Sequence, residues 1–166
     1  MSFWLKYLLI DLTLGVTIAL ILRRFVCALC YVKGKSMKDT LNDGEVVFAL
    51  RRRRNAPVRR FDIVLCRYPK RKGLFIKRVV GLPGEIIAVT EDRLYINGEP
   101  IDENFPRRKN LRDMNEREVP PGAYFLLGDN RPASSDSRRI GAIAEGEIIA
   151  VAKCVVFPFN KIRRIG

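Results

Sequence analysis

The chain has 166 residues and 48% apolar composition, enough for one packed domain with a short appendage, so disorder over its whole length is excluded. Its net charge of +13 favours anionic partners, either nucleic acid or an anionic lipid surface. It contains no histidine, so a serine nucleophile here would need some other base.

In chain order, the first element is FWLKYLLIDLTLGVTIALILRRF, in which Asp11 is the one charge between Tyr7 and Leu22. A helix needs roughly 17 to 25 apolar residues to span a bilayer, and this run lies at the short edge of that range. Trp4 and Tyr7 at one end, and Arg23 and Arg24 at the other, suit the two interfaces. The run therefore reads as a single membrane anchor over residues 1–24, with a cleaved secretory signal or a buried core helix as alternatives. Counting basic residues on either side would keep the body of the protein inside the cell.

Beyond the anchor, residues 25–166 are rich in short β-branched and aromatic runs. Phe25 to Val32, Glu45 to Leu50, Phe61 to Tyr68, Phe75 to Val80 and Glu85 to Thr90 read as strands, divided by turn signals such as Leu82-Pro83-Gly84. Leu94 to Ile96 and Glu99 to Ile101 flank Asn97-Gly98, the signature of a tight hairpin. Tyr124 to Leu127 and Glu147 to Phe157 complete the set. The expected fold is mainly β, with antiparallel sheets in a sandwich or barrel-like body and one N-terminal transmembrane helix.

Two segments interrupt the pattern and read as exposed loops: Arg51 to Arg60 (RRRRNAPVRR) and Arg107 to Arg117. The arginine run fits either contact with lipid phosphates or a merely solvated loop. No nucleic-acid-binding signature accompanies it, so no nucleic-acid partner is expected. Cys27 and Cys30 form a lone CxxC, with Cys66 and Cys154 elsewhere. Without a second pair or a histidine this is a poor zinc site, and the cysteines read as small apolar residues. No metal, nucleotide or other cofactor is expected.

The chemistry-bearing candidates lie in three segments. Ser36 stands in VKGKSMKDTL, where a bend after Gly34 would expose a hydroxyl and a backbone N–H able to bind an oxyanion. The spacing does not make a Walker A loop. Lys77 stands in LFIKRVVGLPGE, with Phe75 and Val79 on the same strand face and Arg78 on the other. Burial in an apolar layer disfavours the ammonium and would produce a neutral lysine base; a strand lysine can also extend to water and do nothing chemical. The third segment, LLGDNRPASSDSRRIG, places Asp, Ser and Arg at close spacing, as a polar turn after a strand also would.

Taken together, these segments resemble the bacterial type I signal peptidases, in the single-anchor form of Gram-positive members, over about residues 8 to 158. FDIVLCR and LYINGEPIDE are included in the likeness. The resemblance implies a serine endopeptidase in which Ser36 is the nucleophile and Lys77 the general base. It implies that Ser134 orients the lysine, that Asp136 and Arg138 buttress the site, and that Asp129 and Arg78 form a second ion pair. The implied substrates are exported preproteins, cleaved after small residues of the Ala-X-Ala kind through an acyl-enzyme. Met37, Ile63 and Val79 are the candidates for lining the substrate pockets. The resemblance also implies a catalytic domain outside the cell, opposite to the charge count. Departures are Gly34, where some members carry a second serine; Asp39, where a proline is usual; and Pro132 and Ala133, where polar residues are common. Two rivals remain on the residues alone: a self-cleaving repressor using the same residue pair, and a basic membrane-tethered adaptor without activity.

Overall fold

The computed structural model describes residues 3–53, 56–108 and 113–165. Helix α1 (Phe3–Phe25) is the apolar N-terminal run. Its 18-residue stretch Trp4–Ile21 has a mean hydropathy of 1.7 and buries none of its surface against the rest of the chain. That removes the core-helix alternative, because a core helix must bury an apolar stripe. The side chains of Arg23 and Arg24, named above as interfacial anchors, lie outside the described set.

The body is antiparallel β. Strands β1 (Cys27–Tyr31), β2 (Val46–Arg51), β3 (Ile63–Cys66) and β4 (Phe75–Gly81) belong to a large sheet, whereas β5 (Ile86–Thr90), β6 (Arg93–Ile96), β7 (Glu99–Ile101) and β8 (Met114–Glu118) make a small one. The large sheet is completed by β9 (Ala123–Leu127), β10 (Ile143–Ala144), β11 (Ile148–Phe157) and β12 (Arg163–Arg164). Its order is β1-β2-β11-β3-β4-β9-β10, with β12 added to β11; the small sheet runs β7-β6-β5-β8. The Asn97-Gly98 hairpin forms as its sequence requires, with both residues at positive φ (52° and 82°) and Ile96 opposite Glu99.

Three clusters share the body. Ile63 and Leu65 join Val47, Ala49 and Ala152 on one face of the large sheet. Val64 and Cys66 join Val79, Tyr124 and Leu126 on the other. Phe125 and Leu127, from the remaining face of β9, pack against Ile87, Val89 and Leu94 of the small sheet. Strands β3 and β9 are thus buried on both faces, which accounts for their unbroken apolar runs.

Both segments expected as loops are corrected in part. Arg51 ends β2, and Arg52 is buried and paired with Glu145 rather than solvated; Arg54 and Asn55 lie outside the described residues. Residues 114–118 form β8, an edge strand whose side chains are mostly exposed and whose backbone pairs with β5. Its sequence, MNERE, has no apolar alternation to betray it. Residues 109–112 lie outside the described set.

Candidate active site

Ser36 lies in the turn between β1 and β2, held from outside by the segment that follows β9. The Asn130 N–H donates to Ser36 O (3.0 Å), and the Asn130 side-chain amide donates to Lys35 O (2.8 Å). Gly34, at φ +96°, turns the chain just before the serine and donates its N–H to Asp43 Oδ1 (2.6 Å). Among the described residues, the Ser36 N–H has no protein acceptor.

Lys77, on β4, reaches the serine: its Nζ is 2.8 Å from Ser36 Oγ and 2.9 Å from its own neighbour's carbonyl, Ile76 O. The strand register sets Lys77 opposite Val64, and Phe75 opposite Cys66, so the lysine crosses an apolar layer as expected. The residue is only 3% exposed. Burial pulls its pKa below the ordinary lysine value. Asp136 and Asp129 oppose that shift. Burial pushes the neighbouring Cys66 thiol up to about 12, so at neutral pH it is uncharged and adds nothing to that opposition.

The other face of β4 carries Arg78. Its Nε and Nη2 contact the two Asp129 oxygens at 2.9 and 2.7 Å, both side chains being buried. The guanidinium also donates to Phe61 O (3.0 Å) and lies 3.8 Å over the Phe105 ring. Thr40 donates its hydroxyl to Asp129 Oδ2 (2.6 Å). A second fork joins Arg138 to Asp136 through two contacts of 2.8 Å, and Arg138 Nη2 donates to Arg131 O (2.7 Å). Asp136 also accepts from the Gly128 N–H (3.2 Å). A Cβ built on Gly128 would stand 2.3 Å from Ser134 Oγ and 2.5 Å from Ser36 O, so only glycine lets the serine loop and Ser134 close on each other.

Not every expectation takes its expected form. Ser134 is buried beside the site, but among the described residues its hydroxyl makes no hydrogen bond, and the bond to Lys77 implied by the resemblance is not formed. Ile63 and Val79, the other two residues expected at the substrate pockets, are wholly buried in two different clusters. Met37, though deeply set, does line the cavity of about 260 Å³ beside the serine, with Gly34, Leu74, Ile76 and Lys77. Thr40, Glu103 and Phe105 were not legible as site residues; their side chains meet Asp129, Arg131 and Arg78 only across the fold. The four cysteines form no disulfide. Cys27 and Cys30, three apart on β1, point to opposite faces.

A curled antiparallel body, one apolar N-terminal helix and a buried lysine against a loop serine define a narrow class of protein. The family model described as "Signal peptidase, peptidase S26" matches residues 4–157, and the chain belongs to that family. It is 35% identical over 173 residues to the Signal peptidase I of Bacillus licheniformis, covering 97% of this chain and 91% of that protein. It is 36% identical to the Signal peptidase I T of Bacillus subtilis (strain 168), with coverages of 92% and 86%. The crystal structure of a signal peptidase I from Enterococcus faecalis V583 is similar at 33% identity and a TM-score of 0.50. It matches 58% of this chain and 97% of that one.

Proposed function

We propose that this protein is a signal peptidase I that removes N-terminal signal peptides from exported preproteins, with Ser36 as nucleophile and Lys77 as general base. The observation that carries the proposal is the 2.8 Å contact between Lys77 Nζ and Ser36 Oγ in a chain without histidine. With Lys77 neutral, its lone pair takes the hydroxyl proton as Ser36 Oγ bonds to the scissile carbonyl carbon. The tetrahedral oxyanion is stabilised by the Ser36 N–H. As the C–N bond breaks, the lysine returns the proton to the leaving amine, leaving an acyl-enzyme. Lys77 then deprotonates a water that attacks the ester, and the proton passes back to Ser36.

Two ion pairs support this reading by holding the loops: Arg78–Asp129 behind Lys77, and Arg138–Asp136 beneath Gly128. Ser134 supports the site by packing against Gly128 at the serine loop rather than through a bond to the lysine. A cavity of about 260 Å³ flanked by Met37 suits the short side chains of an Ala-X-Ala segment.

The domain assignment is a membrane anchor over residues 1–24 and a catalytic body over 25–166, placed on the extracytoplasmic side, where preprotein cleavage sites emerge. Exposed Val26 and Leu29 lie directly after α1, which supports a body resting on the bilayer. Arg53, Arg59 and Lys153 line one cavity and would meet anionic lipid headgroups.

The test is cleavage of a preprotein in detergent by wild type, Ser36→Ala and Lys77→Ala. Cleavage after a small residue by wild type alone is the expected result. Equal cleavage by either variant would remove that residue from the mechanism.

A further inference from the structure

Glu103 closes the LYINGEPIDE stretch, two residues beyond β7. A carboxylate after a short edge strand ordinarily sits in water, but the Glu103 side chain is only 2% exposed. It lies between two guanidinium groups. One oxygen pairs with Arg131 Nη2, and the other is 2.9 Å from Arg107 Nε. Arg107 pairs in turn with Asp92 (3.1 Å), in the turn between β5 and β6, so the carboxylate is anchored to the small sheet.

Arg131 is the group that depends on this carboxylate. Its side chain is 0% exposed, and its Nε and Nη1 find no acceptor among the described residues. Among those residues, Glu103 is the one carboxylate paired with it. A buried cation that loses such a partner favours any movement that returns the charge to water. The way out is short, because Arg131 opens a single helical turn, Arg131–Ala133, in which Pro132 and Ala133 are exposed.

The residue that would move with it is Asn130, directly before Arg131. Asn130 holds the serine loop at two points, through its N–H to Ser36 O (3.0 Å) and its side-chain amide to Lys35 O (2.8 Å). The backbone around it has other restraints: Arg138 Nη2 donates to Arg131 O (2.7 Å), and the Arg108 N–H donates to Asp129 O (2.9 Å). Neither compensates the Arg131 charge.

We propose that Glu103 is a positioning residue for cleavage: by compensating buried Arg131 it keeps Asn130 where Asn130 fixes the Ser36 loop against Lys77. The inference rests on the catalytic reading of Ser36 and Lys77. Glu103 acts through Arg131 and Asn130 and touches no reacting atom.

The experiment uses the full chain in nonionic detergent, comparing wild type, Ser36→Ala and Glu103→Gln in cleavage of a preprotein. Glu103→Gln keeps the side chain's length and one acceptor oxygen while removing its charge. It should lower kcat about ten- to hundredfold, the scale of a 1 Å misplacement of reacting groups, with KM within about twofold of wild type. Thermal melts show whether the variant is folded at the assay temperature. If it is not, Glu103→Asp, which keeps the charge but retracts it by one carbon, is measured in its place. In parallel, hydrogen exchange at the Asn130 N–H, which is bonded to Ser36 O, should be at least about tenfold faster in the variant. Unchanged kcat in the folded variant overturns the proposal. So does a loss carried by KM alone, or a fall in kcat without faster exchange at Asn130. Equal cleavage by wild type and Ser36→Ala would instead defeat the catalytic reading, and the Asn130 exchange would still decide whether Glu103 holds the loop.

Discussion

Lys77 is a lysine that the fold holds at a cost. Its ammonium is disfavoured by burial, so its folded pKa lies below the ordinary value of 10.5. Below that ordinary value the unfolded chain binds a proton more readily than the folded one, and stability falls as pH drops from there to the folded pKa. Below the folded pKa the cost is constant. Lys77→Met should therefore abolish cleavage yet raise the melting temperature at pH 7, by about 2–4 °C per kcal/mol recovered. The gap to wild type should narrow as pH rises toward 10.5. A Lys77→Met protein that melts below wild type at pH 7 would show that the amine's hydrogen bonds outweigh its desolvation. The same shift predicts that kcat/KM rises with pH along a limb set by the lysine, at a pH below the free-lysine value, as read from the pH–rate profile.

Asp39 is a second residue whose behaviour follows from its own geometry. It replaces a proline usual in the similar family, and its φ of +80° is one that proline, fixed near −65°, does not adopt. Its ion pair with Arg108 is exposed to solvent and contributes little. Asp39→Gly should leave stability within about 1 kcal/mol of wild type, since relief of the positive φ offsets the lost pair. Asp39→Pro should cost more than about 1 kcal/mol in a denaturant melt. Equal stability of the two variants would mean that the turn readjusts freely.

At the scale of elements, strand β4 sends Lys77 to one face and Arg78 to the other. Whatever holds Arg78 also fixes the lysine's backbone. The Arg78–Asp129 pair ties β4 to the segment after β9, which in turn grips the Ser36 loop through Asn130. Asp129→Ala would leave the Arg78 guanidinium buried and uncompensated, at a cost of about 3–5 kcal/mol. An Arg78→Met/Asp129→Leu double variant should recover much of that stability without recovering full cleavage. Denaturant melts combined with a peptide-cleavage assay separate the two effects; recovery of both would make the pair a stability device alone. Most strands carried a local signal because their alternation or their double-sided burial is written in apolar residues. Strand β8 and the two-residue strands β10 and β12 carried none. They are held by backbone pairing to neighbours already in place; the side chains of β8 are mostly exposed, and two residues are too few to show a period in β10 and β12.

For the whole molecule, α1 stands outside the body, with none of its Trp4–Ile21 stretch buried. Removal of residues 1–24 should leave the body folded and able to cleave a short peptide. The truncated protein should sediment with anionic vesicles less than the full chain does. It should not lose vesicle binding altogether, because Val26, Leu29, Phe157, Phe159 and Ile162 remain exposed. A truncated protein that fails to fold would show that α1 packs on the body in the membrane.

The apolar helix, the β character of the body, the absence of histidine and the three segments that hold Ser36, Lys77 and the Gly128–Arg138 motif can all be read along the chain. These are properties of composition, period and short spacing, and a linear text preserves them. Which groups meet is a property of the folded arrangement. It brings Ser36 to Lys77 across 41 residues and Thr40 to Asp129 across 89. It buries Ile63 and Val79 in two separate clusters, and among the described residues it gives the Ser134 hydroxyl no hydrogen-bond partner. The physical reason is that burial and hydrogen bonding depend on distance in space. Strand order and loop closure set that distance, and no local pattern of residue types encodes either one.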